Sequence, residues 1–145
     1  TVALVDLPQV VAAMGDRLDG LPEGAVELVA ADVMSDPTCG VGEASVDAAL
    51  VSHMLHDLSV EAGIELLRHV HAAISPGGSV VVNDFAGDAG PGSFGPMFDV
   101  MMRVETGGAA HPLAVLRGMI ESAGFGAVSV VDLPEPLTVL IGVKQ

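Results

Sequence analysis

Apolar positions along this chain fall into short β-branched runs that alternate with stretches of helical periodicity, and most runs stop at an acidic or polar residue. Thr1 to Val5 stops at Asp6, and Leu7-Pro8 then opens a helical pattern through about Leu18 with Val10, Val11 and Met14 on one face. Pro8 suits a first-turn position, where its missing N–H would have no partner in any case. Asp19-Gly20 to Glu23-Gly24 marks a turn, and Val26 to Ala30 reads as a second strand, ended by Asp32. The pattern repeats with a strand from Val46 to Val51, a loop from His53 to Asp57, and a helix capped by Ser59 that runs to about Ile74. Gly63, Leu67, Val70 and Ile74 form its apolar stripe. Pro76-Gly77-Gly78 reads as a tight return into a fourth strand, Ser79 to Val82, which ends at Asn83-Asp84.

The glycine-rich stretch Gly87 to Gly95 reads as a mobile loop, and Pro96 to Glu105 and His111 to Ala123 as helices on either side of Thr106-Gly107-Gly108. A strand from Gly124-Phe125 to Val131, a turn at Pro134 to Pro136 and a strand from Thr138 to Val143 complete the chain. Strands interleaved with helices specify an α/β, Rossmann-like, doubly wound and mostly parallel sheet. The last two strands are joined by too short a connection for a parallel crossover, so they are expected to be antiparallel neighbours. With no internal repeat or linker, residues 1–145 are expected to form one domain.

Composition refines this picture. Half of the residues are hydrophobic and 17% are charged, with a mean hydropathy of +0.60, which excludes disorder. No apolar run reaches the roughly 18 residues of a membrane helix, so a soluble protein is expected. Aromatic residues are only 3%, which leaves few stacking platforms and argues mildly against a ring-stacking pocket. Nineteen acidic residues against five basic ones give a net charge of -14, which repels nucleic-acid backbones and anionic membrane surfaces alike. The single Cys39 excludes an internal disulfide and is compatible with an intracellular, reducing compartment such as the cytoplasm. The chain opens with Thr1 already in a strand and without a signal-peptide pattern, as if it began inside a domain.

In open α/β sheets ligands bind at the carboxyl ends of the strands, which singles out the residues placed there. Asp6 can accept hydrogen bonds from two ribose hydroxyls, and equally it can be a carboxylate favoured by a helix N-terminus. Asp32 can accept from the exocyclic amine of a base whose faces Leu7 and Val33 would cover. His56 is suited to proton abstraction near neutrality, with Asp57 or Asp84 to orient its ring. His53, His56 and Asp57 lack a further ligand at convincing spacing, so no metal is expected. His69 and His71 read as surface or helix-edge residues and His111 as a helix-start residue. Met97, Met101 and Met102, with Phe94 and Phe98, read as ordinary core or as the lining of an apolar acceptor pocket. Cys39 has no local base or cation to activate it.

Taken in order, Val5-Asp6-Leu7-Pro8, Ala31-Asp32-Val33, Leu55-His56-Asp57, Ser75-Pro76-Gly77-Gly78 with Val81-Val82-Asn83-Asp84, Thr106-Gly107-Gly108 and Ala123-Gly124-Phe125 resemble a known family. It is the class I S-adenosylmethionine-dependent O-methyltransferases of small molecules, in the branch of caffeic acid O-methyltransferase and the bacterial polyketide-tailoring enzymes of secondary metabolism. The resemblance implies a cofactor, S-adenosylmethionine, with Asp6 on the ribose hydroxyls, Leu7 on adenine, Asp32 and Val33 at the adenine edge, and Ser52 among the cofactor contacts. It further implies that His56 is the general base for a small-molecule hydroxyl, with Asp57 as its sequence neighbour and Asp84 as the orienting carboxylate.

The family's first strand and glycine-rich loop would lie before Thr1, which predicts a gap between the strands that start at Thr1 and Val46. Its N-terminal helices, which close the acceptor pocket and allow a homodimer of the full-length protein, would lie there too. Where many relatives carry a second glutamate after the Gly-Gly pair, this chain has Ala109 and Ala110. Two alternatives remain open on sequence alone. One is a truncated, non-catalytic binding or assembly module; the other is a nicotinamide-dependent dehydrogenase, which would share Asp6 but leave Asp32 and His56-Asp57 unexplained.

Overall fold

The computed structural model describes residues 1–88, 94–131, 133 and 137–145, with residues 15 and 16 described in the backbone only. Six strands are present among them: β1 (Val2–Asp6), β2 (Val26–Ala30), β3 (Val46–Ser52), β4 (Ile74–Asp84), β5 (Phe125–Val131) and β6 (Thr138–Lys144). The helices are α1 (Pro8–Ala13), α2 (Val60–Ala73), α3 (Phe94–Glu105) and α4 (Leu113–Ser122).

The strands form two sheets. β1 and β2 pair in parallel, and the other four run in the order β3-β4-β6-β5. β3 and β4 are parallel, whereas β6 lies antiparallel to both β4 and β5, so the reversed final strand and its antiparallel pairing with β5 are both as expected. The expected gap is present as well: among the described residues β1 pairs only with β2 and β3 only with β4. A cleft of about 860 Å³ lies between them, lined on its two sides by Val2 and Leu4 and by Val46, Ala48 and Leu50.

The core forms where α2 and α4 cover one face of the larger sheet. Ser59 caps α2 by accepting the Ala62 N–H at 3.2 Å. The helix then buries Gly63, Leu66, Leu67, Val70 and Ala73 against Leu116, Met119 and Ile120 of α4 and Val51, Val80, Val82 and Leu140 of the strands. Each fully buried aliphatic side chain contributes about 1.5–3 kcal/mol, so this face accounts for much of what holds the strand ends in place. Alternation along β3 is one-sided, with Val51 5% exposed and Leu50 69%. No described helix is long and apolar enough to cross a membrane.

Three local expectations change. The helical pattern from Leu7 breaks into α1 and a separate 3-10 turn, Gly15–Leu18; α1 has no side-chain cap and buries no residue, so nothing carries it past Met14. β4 starts at Ile74, immediately after α2, and Pro76-Gly77-Gly78 lies inside it as an irregularity. The parallel pair Val46–Ile74 begins the ladder there, and the register shifts before the next pair, Ala48–Ser79. α3 begins at Phe94, and the expected loop from Gly87 to Gly95 and the turn at Pro134 to Pro136 fall largely outside the described residues.

A candidate active site at the strand ends

β3 and β4 deliver the polar residues side by side. The last ladder pair is Ser52 with Asn83, and their side chains meet through a 3.1 Å hydrogen bond from Asn83 Nδ2 to Ser52 Oγ. Asn83 Oδ1 is buried with no partner among the described residues. Directly after Ser52, His53 adopts φ 54°, a left-handed conformation uncommon for a residue with a Cβ, and donates its N–H to Asn83 O at 2.9 Å. The chain then folds into a 3-10 turn, Leu55–Asp57, that buries Leu55 and His56.

His56 Nδ1 lies 2.7 Å from Asp84 Oδ1, and Asp84 Oδ2 accepts the His56 backbone N–H at 3.2 Å. Asp84 Oδ1 also accepts the Phe85 N–H at 2.8 Å, so its carboxylate, only 1% exposed, is held by hydrogen bonds to both oxygens. Of the two acidic residues beside His56, it is Asp84 whose carboxylate lies within hydrogen-bond distance of the ring. Asp57 is exposed, and its Oδ2 stands 3.7 Å from His56 Nε2, beyond hydrogen-bond length but close enough to act through its charge. A carboxylate on Nδ1 fixes the neutral imidazole as the Nδ1–H tautomer and leaves the lone pair on Nε2. His53, His56 and Asp84 each place a possible metal-ligand atom within 4.8 Å of the others, so the third group near the two histidines is Asp84 rather than Asp57.

Three of the four phenylalanines surround this pair. Phe98 meets the His56 ring edge-on at 4.9 Å, Phe85 stacks obliquely on His53 at 4.8 Å, and Phe85, Phe94 and Phe98 touch one another. The few rings of the chain are thus concentrated at one place. Along α3, Phe98 and Met102 are buried, while Met97 and Met101 are 58% and 40% exposed, so the helix divides between core and open surface.

On the other sheet, Asp6 is the last residue of β1 and Asp32 stands just beyond the end of the adjacent parallel β2, with the Ala31 N–H donating to Asp6 O at 3.0 Å. Asp6 Oδ1 accepts the Leu7 N–H at 2.7 Å and Asp32 Oδ1 accepts the Met34 N–H at 3.0 Å. In both, Oδ2 has no partner among the described residues. Leu7 is 39% exposed and Val33 is half-buried, with its carbonyl 2.9 Å from His69 Nδ1. His69 thus fastens the loop after β2 rather than lying free on the surface.

His111 was also missed by sequence reasoning. It is buried, with Nε2 3.1 Å from Leu55 O and 3.0 Å from Leu58 O. Its position between Ala110 and Pro112 gives no periodic signal that could have revealed this. Cys39 is buried with its thiol pushed up to about 11 by burial and by Asp36, so it stays un-ionised.

Comparison with known proteins accords with this arrangement. Residues 1–126 match the O-methyltransferase domain. A 3-amino-4-hydroxybenzoate 4-O-methyltransferase of Streptomyces cremeus is 34% identical over 134 residues, covering 90% of this chain and 35% of the relative. The N,N-dimethyltransferase OxyT of Streptomyces rimosus is 32% identical over 130 residues, covering 85% of this chain and 35% of that protein. Among solved structures, PigF with SAH superposes with a TM-score of 0.85 at 26% identity, covering 99% of this chain and 43% of that one. Human N-acetylserotonin methyltransferase in complex with SAM has the same fold, with a TM-score of 0.85 at 21% identity over 99% of this chain and 40% of that one. The chain thus spans little more than a third of the length of these curated relatives, and within that span it belongs to the O-methyltransferase domain family.

Proposed function

We propose that the site transfers a methyl group from S-adenosylmethionine to a hydroxyl of a small aromatic acceptor, with His56 as general base. The observation that carries this reading is the 2.7 Å contact between His56 Nδ1 and Asp84 Oδ1, which leaves Nε2 as the free basic nitrogen. His56 Nε2 takes the proton of the acceptor hydroxyl as the oxygen begins to form its bond to carbon. Asp84, fixed by the main-chain N–H groups of His56 and Phe85, holds the ring in one orientation and stabilises the imidazolium that results. Asp57, 3.7 Å from Nε2, adds a second negative charge beside that cation.

The residues present fit the cofactor. The Oδ2 atoms of Asp6 and Asp32 are acceptors without partners among the described residues, suited to ribose hydroxyls and to the adenine amine, and Leu7 and Val33 offer apolar cover for the base. Asn83 Oδ1, an orphaned buried acceptor beside Ser52, provides a place for a further ligand donor and supports Ser52 as a cofactor contact. When bound there, the cofactor would supply both an electrophilic methyl group on a sulfonium and the leaving group, a neutral thioether that keeps the electron pair of the broken carbon–sulfur bond. The protein's remaining task is to align oxygen and carbon, and holding two reactants in line is worth several orders of magnitude in rate.

An aromatic acceptor is supported by Phe85, Phe94 and Phe98 around His56, and by the aromatic hydroxy acids named for two Streptomyces relatives, an aminohydroxybenzoate and a hydroxynaphthoate. The test is to incubate the full-length protein with S-adenosylmethionine and a panel of hydroxybenzoates and hydroxynaphthoates and to read methyl incorporation by mass spectrometry. Calorimetry with Asp6→Ala checks the cofactor side. Methylation lost in His56→Ala, with binding weakened in Asp6→Ala, is the expected result; undiminished methylation in His56→Ala would overturn the base assignment.

A further inference from the structure

The ladder between β3 and β4 ends at Ser52 and Asn83, yet His56 lies four residues beyond it on a 3-10 turn, a conformation with poorer hydrogen-bond geometry than an α-helix. Main-chain pairing therefore does not by itself set where His56 stands relative to Asp84. A separate set of contacts does, and it converges on His111.

Carbonyl oxygens only accept, so the His111 Nε2 that lies between Leu55 O and Leu58 O carries a proton and shares it between them. These two carbonyls bracket His56 and Asp57, and Leu55 O also accepts the Leu58 N–H that closes the turn, at 3.1 Å. His111's own carbonyl accepts the Gly87 N–H at 3.1 Å, three residues past Asp84. One residue is thus tied by its side chain to the turn that carries His56 and by its main chain to the segment that leaves Asp84. Neighbouring residues tighten the same strap. The Ala109 N–H donates to His56 O at 2.9 Å, and Gly108 packs so close to that oxygen that a Cβ there would collide with it. The Ala110 N–H donates to Asp99 Oδ1 at 3.1 Å, which anchors the strap to α3.

We propose that His111 is a positioning residue for the His56–Asp84 pair, setting the placement of the His56 ring on its carboxylate without touching substrate or cofactor. This rests on the reading of His56 as general base. Because Nε2–H is present in both the neutral and the protonated ring, the strap does not depend on the charge of His111.

The experiment uses the full-length protein with His111→Phe, which fills the site but has no donor, and His111→Gln, whose amide reaches as far as Nε2 and restores one. Three quantities are read: kcat and KM separately, the thermal midpoint, and the low-field proton resonance of His56 Nδ1–H in the resting protein. His111→Phe is expected to lower kcat by roughly tenfold or more, as misplaced catalytic groups do, with cofactor affinity within about twofold of wild type. The low-field resonance should broaden or move with it, and His111→Gln should recover both. If His111→Phe does not fold, His111→Asn, too short to reach either carbonyl, takes its place under the same criteria. A folded donor-free variant with unchanged kcat and an unchanged resonance would overturn the proposal. The resonance is read without turnover, so if His56→Ala retains methyl transfer and the base assignment fails, the spectra still decide whether His111 holds the pair.

Discussion

His56 Nδ1 and Asp84 Oδ1 meet at 2.7 Å across a separation of 28 residues. That distance is spanned by one crossover: β3 ends, α2 packs on the sheet through Leu66, Leu67 and Val70, and β4 returns parallel to β3, so two strand ends distant in sequence become neighbours. His56→Ala should reduce methyl transfer by about 10²–10⁴-fold, the usual contribution of a positioned base. Asp84→Asn should cost about 10²-fold or more, because its amide N–H would favour the wrong tautomer of His56. Initial rates under saturating cofactor, with thermal melting to confirm folding, check both; a near-wild-type Asp84→Asn would separate the carboxylate from the chemistry.

Gly108 offers a more local test. A methyl group there would meet His56 O and, at 2.9 Å, Asp57 Cα, and backbone does not yield as a flexible side chain does. Gly108→Ala should displace the turn and lower kcat by roughly 10²-fold, at a cost of about 1–3 kcal/mol in stability. A stability loss without a rate loss would show that the turn tolerates displacement.

Leu67 is fully buried between α2 and the sheet. Leu67→Ala should destabilise the fold by about 2–5 kcal/mol, the transfer loss plus the cavity left behind. Urea denaturation monitored by circular dichroism measures this, and a cost below about 1 kcal/mol would mean that the face collapses around the hole.

His71 gives the acid limb of stability a definite sign. It meets Phe125 edge-on at 4.9 Å, and burial, aided by the nearby Lys144 charge, holds its pKa below the ordinary histidine value of 6.5. As pH falls, the unfolded chain takes up this proton first, so protonation favours unfolding. The contribution is fully present above the ordinary value and is lost as pH falls through it toward the lowered folded value. The urea midpoint should decline between about pH 7 and 5, and His71→Gln should flatten that part of the curve. An equally steep decline in the variant would assign it to other groups.

Much of this was legible in the sequence because it followed from strand ends. Asp6, Asp32, His56 and Asp84 each sit where an apolar run meets a loop, and the structure places all four at or just beyond carboxyl ends. What escaped was carried by contacts that leave no local pattern. His111 reaches Leu58 O across 53 residues and His69 reaches Val33 O across 36, and neither distance has a period. Composition could not reveal the gathering of Phe85, Phe94 and Phe98, because an average over the chain carries no position. Pro76-Gly77-Gly78 was read by its turn chemistry, but pairing of Ile74 with Val46 drew the strand back past it.

The left-handed backbone of His53 gives the site a directional element. For a residue with a Cβ that conformation costs about 1–2 kcal/mol, and here it is retained by the 2.9 Å bond to Asn83 O and the ring contact with Phe85. It marks the point where β3 stops and the chain bends toward Asp84. His53→Gly relieves the backbone and removes the ring together, whereas His53→Ala removes the ring alone, so the difference in stability between the two variants measures the energy held in that bend. A residue outside the proposed proton transfer thereby sets the heading of the turn that carries His56.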